Sequence, residues 1–211
     1  MHRIPEFIKE MKETKRIHIR ERDNYSWGSR ETCRELFEVV FKEMDKTITE
    51  YQHLPEYDQI IDWMCCTEGK GLLLMGACGR GKSVIMTGVL PMLFRYRKLY
   101  LRVIHAQDLH KPLTNQQTRS NVRPETNLDF LISAKYPVID EVGVENQMND
   151  YGEKTEGFNL ILNTAERDYK PLFIATNLTA EELLIRYGER TFDRLKRLCK
   201  RVEFKGDSLR K

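Results

Sequence analysis

Eight consecutive residues, Gly76-Ala77-Cys78-Gly79-Arg80-Gly81-Lys82-Ser83, have the types and spacing that grip a triphosphate. They fit G-x-x-x-x-G-K-[ST]. Gly76, Gly79 and Gly81 allow backbone torsions that other residues resist, and they let N–H groups approach phosphate oxygens closely. Ala77, Cys78 and Arg80 complete the loop. A helix beginning near Lys82 turns its positive dipole end toward the anion. Lys82 supplies a point charge for the β- and γ-phosphates, and Ser83 supplies an oxygen for Mg²⁺. The apolar run Leu72-Leu73-Leu74-Met75 before the loop and the helical composition of Lys82–Tyr96 after it provide the strand-loop-helix context that makes the motif specific.

A second constellation is Val138-Ile139-Asp140-Glu141, a buried strand that ends in two carboxylates. Asp140 has the chemistry to hold Mg²⁺ through water, and Glu141 to polarise an attacking water as general base. Successive strand residues point to opposite faces, so both acids reach one site only at a strand's end. A pair of acids merely capping a strand is the bland alternative. Ala175-Thr176-Asn177 ends another apolar run. If that strand neighbours the strand of Asp140, Asn177 lies beside the terminal phosphate and positions the same water; otherwise it is a turn cap. Arg190 and Arg194 stand four apart, on one face of a helix. A cation reaching the γ-phosphate of an adjacent copy stabilises transition-state charge. Surface ion pairs are the alternative use of such a pair.

These groups need a scaffold. Strands are expected over Leu72–Met75, Leu99–Ile104, Val138–Asp140, Leu172–Ala175 and Arg201–Phe204, with helices between them, which predicts an α/β fold built on a parallel sheet. Lys111–Glu125 is polar and reads as a loop. Before the sheet, Ile4, Phe7, Ile8 and Met11 recur with helical spacing, and Phe37, Val40, Phe41, Met44, Ile48 and Tyr51 continue it. His53-Leu54-Pro55 marks a boundary between residues 1–54, a helical segment, and residues 55–211, the nucleotide-binding domain. The first segment either packs on the core or forms a partner-binding module.

Composition narrows the classes further. The 211 residues are 40% hydrophobic and carry a net charge of +3, enough apolar material for a true core. No apolar run is long enough for a membrane span, and no secretory leader is evident. Five cysteines without a C-x-x-C pair imply free thiols in a reducing cytoplasm rather than a zinc site. From Arg186 onward ten basic residues stand against four acidic ones, a candidate surface for phosphates or a solvated helix face.

Taken together, Gly76–Ser83, Val138–Glu141, Ile174-Ala175-Thr176-Asn177-Leu178, Tyr187–Leu195 and the ending Val202–Arg210 resemble the DnaC/DnaI helicase-loader and IstB-type ATPases of the AAA+ superfamily. The likeness runs from about Tyr57 to Arg210. It implies an AAA+ P-loop fold without a full C-terminal lid, since little chain follows Arg194. It implies hydrolysis of ATP with Mg²⁺ held by Ser83 and Asp140, Glu141 as catalytic base, Asn177 as the phosphate sensor and Arg194 as an arginine finger acting in trans, with Arg190 the second candidate. Arg210 takes a phosphate-sensing or DNA-facing role in this reading. The implied partners are single-stranded DNA, a replicative helicase and further copies of the chain in an ATP-dependent homo-oligomer. An IstB-like transposition helper that binds a transposase is the alternative within the same engine; a nucleotide-gated adaptor with little turnover is the alternative outside it. The sequence departs from its relatives in reading Ala77-Cys78 where a proline is common, and the N-terminal segment carries no zinc-binding cysteine cluster.

Overall fold

A computed structural model of the chain describes residues 3–14, 22–46, 50–113, 125–143 and 153–209. Ile48, most of the polar Lys111–Glu125 connection and Arg210 lie outside them. Among the described residues five strands, β1 (Gly71–Gly76), β2 (Val103–His105), β3 (Val138–Val142), β4 (Phe173–Thr176) and β5 (Cys199–Phe204), form one sheet in the order β2-β3-β4-β1-β5. Every pairing is parallel. All strand C-termini therefore share one end of the sheet, and the phosphate loop, the Asp140-Glu141 pair and Asn177 are delivered there together.

β1 is buried at every position, as expected of a central parallel strand covered on both faces. Its alternation divides the core in two. Leu72 and Leu74 join an apolar layer with α2 (Arg30–Met44), α3 (Pro55–Cys65) and α5 (Leu90–Tyr96), while Leu73 and Met75 face α7 (Glu153–Arg167) and α9 (Glu189–Leu198). The other helices are α1 (Arg3–Glu13), α4 (Lys82–Val84), α6 (Asn127–Ser133) and α8 (Ala180–Tyr187), the last two each begun by a capping box on Thr126 or Thr179. No helix of the described residues is long and apolar enough to cross a membrane.

Three local expectations are corrected. The strand expected over Leu99–Ile104 is only Val103–His105, because Leu99 packs into the apolar layer from an irregular connection rather than from a ladder. The long helical spacing through Tyr51 ends at Met44, and Tyr51 instead folds back to place its ring 5.8 Å from Phe41 and 6.3 Å from Tyr57. The strand expected over Leu72–Met75 is one residue longer at each end, β1 running from Gly71 to Gly76.

The residues before Leu54 enter the same core. Trp27, Cys33, Phe37 and Phe41 are buried with Tyr57, Trp63 and Phe94, and the Trp27 indole N–H donates to the Leu93 carbonyl at 3.0 Å. In α1, by contrast, Ile4, Phe7 and Ile8 remain exposed.

Candidate functional site

The loop after β1 owes its shape to glycine. Gly76, Gly79 and Gly81 adopt φ of 102°, 70° and 87°, in the left-handed region that L side chains resist. Space forbids a side chain as well: a Cβ on Gly76 would stand 2.4 Å from the Phe204 carbonyl oxygen, and one on Gly81 2.7 Å from the Tyr57 hydroxyl. Gly81 is the residue from which the helix starts, running through α4 and a π-wound stretch, Ile85–Val89, into α5. Lys82 is buried, and its ammonium donates to the Gly76 and Ala77 carbonyls at 2.9 and 2.6 Å. Those bonds satisfy a charge that burial would otherwise penalise heavily. Ala77 is tied to β5, its N–H donating to the Phe204 carbonyl at 2.9 Å, and Cys78 is exposed.

A second tier holds the loop from behind. Arg80 forms a largely buried ion pair with the buried Glu56 of α3 (3.1 Å), and its guanidinium also donates to the Asp207 carbonyl. The same Glu56 oxygen accepts the Lys205 N–H at 3.0 Å. Tyr57 donates to the Arg80 carbonyl, and the Leu209 N–H donates to the Gly79 carbonyl. A cavity of about 450 Å³ opens beside Arg80, between Pro55, Glu56 and Gln59 on α3 and the edge strand β5. The loop thus has this cavity on its β5 side and the carboxylates of β3 on its other side.

The acidic pair lies where β3 is irregular. Its pairing with β4 shifts register between Ile139 and Val142, and Glu141 takes φ of 59°. This bulge is the device that lets adjacent carboxylates share one end of a strand, at the expense of local strain in a residue other than glycine. Asp140 is buried, and its Oδ1 accepts the Glu141 N–H at 3.0 Å. Burial holds the Asp140 carboxyl above the usual carboxylate range, opposed by the Glu141 N–H, by the nearby His105 and by the Ser83 hydroxyl. Its Oδ2 is buried without a hydrogen-bond partner. A buried carboxylate oxygen beside a serine hydroxyl is a hard-oxygen donor set, which fits Mg²⁺.

β4 lies between β1 and β3, as the proposed place of Asn177 requires. Asn177 follows the last residue of β4 and is exposed, while its neighbour Thr176 is buried and donates to the Val142 carbonyl, pinning the end of β4 to that of β3. The two arginines stand apart from these groups. Arg190 is exposed on α9, and Arg194 is bound to α7 through Glu166 (3.0 Å) and Asn163.

His105 is a member of the site that sequence reasoning missed. It ends β2 in register with Asp140, with Nδ1 3.9 Å from Asp140 Oδ2 and 3.7 Å from Glu141 Oε2. Its position at the end of the strand preceding Asp140's was the available signal.

No protein-family model and no curated protein matches the sequence. Solved structures do match the fold. A DnaI crystal structure superposes with a TM-score of 0.56 at 17% identity, covering 86% of this chain and 96% of that one. The DnaC helicase loader superposes with a TM-score of 0.58, also at 17% identity, covering 78% and 98%. The fold of this chain is the one those two proteins share. The DnaC/DnaI-like reading of the sequence is thereby carried at the level of architecture, a five-stranded parallel P-loop sheet flanked by helices.

Proposed function

We propose that this protein is an ATP-dependent DNA replication factor of the helicase-loader kind. The observation that carries the reading is the convergence of the phosphate loop and Ser83 with the bulged Asp140-Glu141 strand at one end of the sheet. ATP lies with its nucleoside toward the cavity beside Arg80 and its phosphates in the loop. Lys82 grips the β- and γ-phosphates, and Ser83 and Asp140 hold Mg²⁺, which offsets phosphate charge when bound. Glu141 takes the proton of the attacking water on its carboxylate, and Asn177 orients that water. Arg194, or Arg190, reaches the site of a neighbouring copy in an ATP-dependent homo-oligomer. Single-stranded DNA lines the assembly, and residues 1–54 hold a replicative helicase. The exposed apolar side chains Ile4, Phe7 and Ile8 of α1 support a docking role for that segment.

Phosphate release with single-stranded DNA and the helicase present tests the reading. Glu141→Gln should lower turnover about 10²–10⁴-fold while nucleotide affinity is kept; equal rates for parent and variant reject catalysis and leave a nucleotide-gated adaptor. Lys82→Ala should weaken nucleotide binding about a hundredfold or more, since a buried charge-assisted contact to phosphate is lost. Titration with a fluorescent ATP analogue measures this, with circular dichroism confirming that the variant is folded. Undiminished affinity would reject the phosphate-loop assignment.

A further inference from the structure

The proposed reaction uses the C-terminal end of the sheet. The connection from α5 to β2 lies at the opposite end, beside the start of an edge strand. It reads Arg95-Tyr96-Arg97-Lys98-Leu99-Tyr100-Leu101-Arg102, and no acidic residue occurs anywhere between Glu68 and Asp108. Leu99 and Leu101 turn into the apolar layer. Tyr96 and Tyr100 are left 75% and 70% exposed, the most exposed aromatic side chains among the described residues.

Several cations elsewhere on the surface are committed to ion pairs. Arg30, Arg34, Arg194 and Arg197 are all ion-paired. The exposed side chains of Arg95 and Lys98 have no hydrogen-bond or ion-pair partner among the described residues. Arg97 flanks them as a fixed element, its guanidinium 5.2 Å from the Tyr25 ring centre. Lys98 also occupies a position that favours glycine. Leu99 N–H donates to the Phe94 carbonyl and Lys98 N–H to the Arg95 carbonyl, the hydrogen-bond pattern of a helix end closed by a left-handed residue, and Lys98 supplies that residue at φ 61°. A lysine there carries its charge outward despite a conformation that disfavours it.

Exposed aromatic faces that stack bases, next to cations that contact backbone phosphates, are the recognition chemistry of single-stranded nucleic acid. A duplex keeps its base faces stacked inside and offers them nothing. We infer that the Arg95–Arg102 turn is a binding surface for single-stranded nucleic acid, remote from the phosphate loop, on which Tyr96 and Tyr100 stack bases while Arg95 and Lys98 contact phosphates. The surface needs neither ATP nor a neighbouring copy, so it stands or falls separately from the loader reading.

Fluorescence anisotropy of the full chain without nucleotide tests it, using labelled oligothymidylate, oligouridylate and a duplex of equal length. The parent should prefer the single strands, and the better bound of the two identifies DNA or RNA as the source. Tyr96→Ala and Tyr100→Ala should each weaken binding about tenfold or more, whereas the phenylalanine variants, which keep the ring, should bind like the parent. Lys98→Gly should lower the slope of log affinity against log salt by about 0.7 and weaken binding, yet raise the melting temperature, because glycine suits the left-handed position. Reduced binding with increased stability is an outcome that a purely structural lysine does not produce. The inference is overturned if the parent binds no single strand without nucleotide, if it binds duplex equally well, or if the Tyr96→Ala/Tyr100→Ala double variant binds like the parent. Affinity for a fluorescent ATP analogue should be unchanged in these variants; absence of such affinity in the parent would count against the phosphate-loop reading and leave this surface untouched.

Discussion

Arg194→Ala should leave nucleotide binding at the parental level and cut stimulated ATP hydrolysis about 10³–10⁵-fold, the usual contribution of an arginine finger. Within its own chain the Arg194 side chain is only 17% exposed and is held by Glu166 and Asn163. Service to a neighbouring copy requires release from Glu166, and Arg197, 3.1 Å from the other Glu166 oxygen, keeps that carboxylate paired when release occurs. The buried-charge penalty that normally opposes opening such a pair is thereby reduced. Alanine also removes a packed side chain, so the melting temperature must be measured alongside. Arg194→Lys separates the two effects: it keeps a charge for Glu166 but lacks the planar fork that engages phosphate oxygens, so hydrolysis should fall with a smaller loss of stability. Mixing Arg194→Ala with Glu141→Gln should restore part of the activity, because some interfaces then join an intact base to an intact arginine. Full activity of a monomer, with no rescue on mixing, removes the trans arrangement. Arg190→Ala is the comparator: Arg190 is exposed, and if it alone abolishes stimulated turnover the finger is Arg190.

The largest effect on folding is expected at Gly71. A Cβ there would stand 1.9 Å from the Leu172 carbonyl oxygen and 2.5 Å from its carbonyl carbon, a collision with backbone that no rotamer change relieves. Gly71 opens β1, an interior strand between β4 and β5, and is in register with Cys199. Alanine must push β1 away from the chain entering β4 at the point from which the whole register of β1 is set. A cost of about 3–5 kcal/mol follows, a large share of a typical domain's stability. Thermal unfolding followed by circular dichroism should show a midpoint lower by roughly 10 °C, or no cooperative transition at all. Gly157→Ala is the contrasting substitution. It lies within α7, a Cβ there meets only ordinary contacts at 3.6 Å, and about 1 kcal/mol of added stability is expected from the better helix former. If both variants melt with the parent, the crowding at Gly71 is wrong.

The candidate phosphate loop was legible before the fold because its geometry is local. A glycine-rich bend, a lysine and a serine act through backbone torsions and a helix end that neighbouring residues alone dictate, and the structure gives Gly76, Gly79 and Gly81 the left-handed torsions their types imply. The interior strand β1 was equally readable, since a strand covered on both faces must be apolar at every position. Other features depend on chain segments far apart in sequence. How Asp140 and Glu141 turn to one site was decided by a bulge against β4, and the presence of His105 beside them by strand register. Gly71 stood outside the expected strand, because only the approach of Leu172, a hundred positions away, makes glycine necessary there. Arg80 read as one loop residue among eight until folding buried it against Glu56. Torsional preference and periodicity act within a few residues and are written in the chain; register, burial and the pairing of buried charges arise only when distant segments compete for the same space.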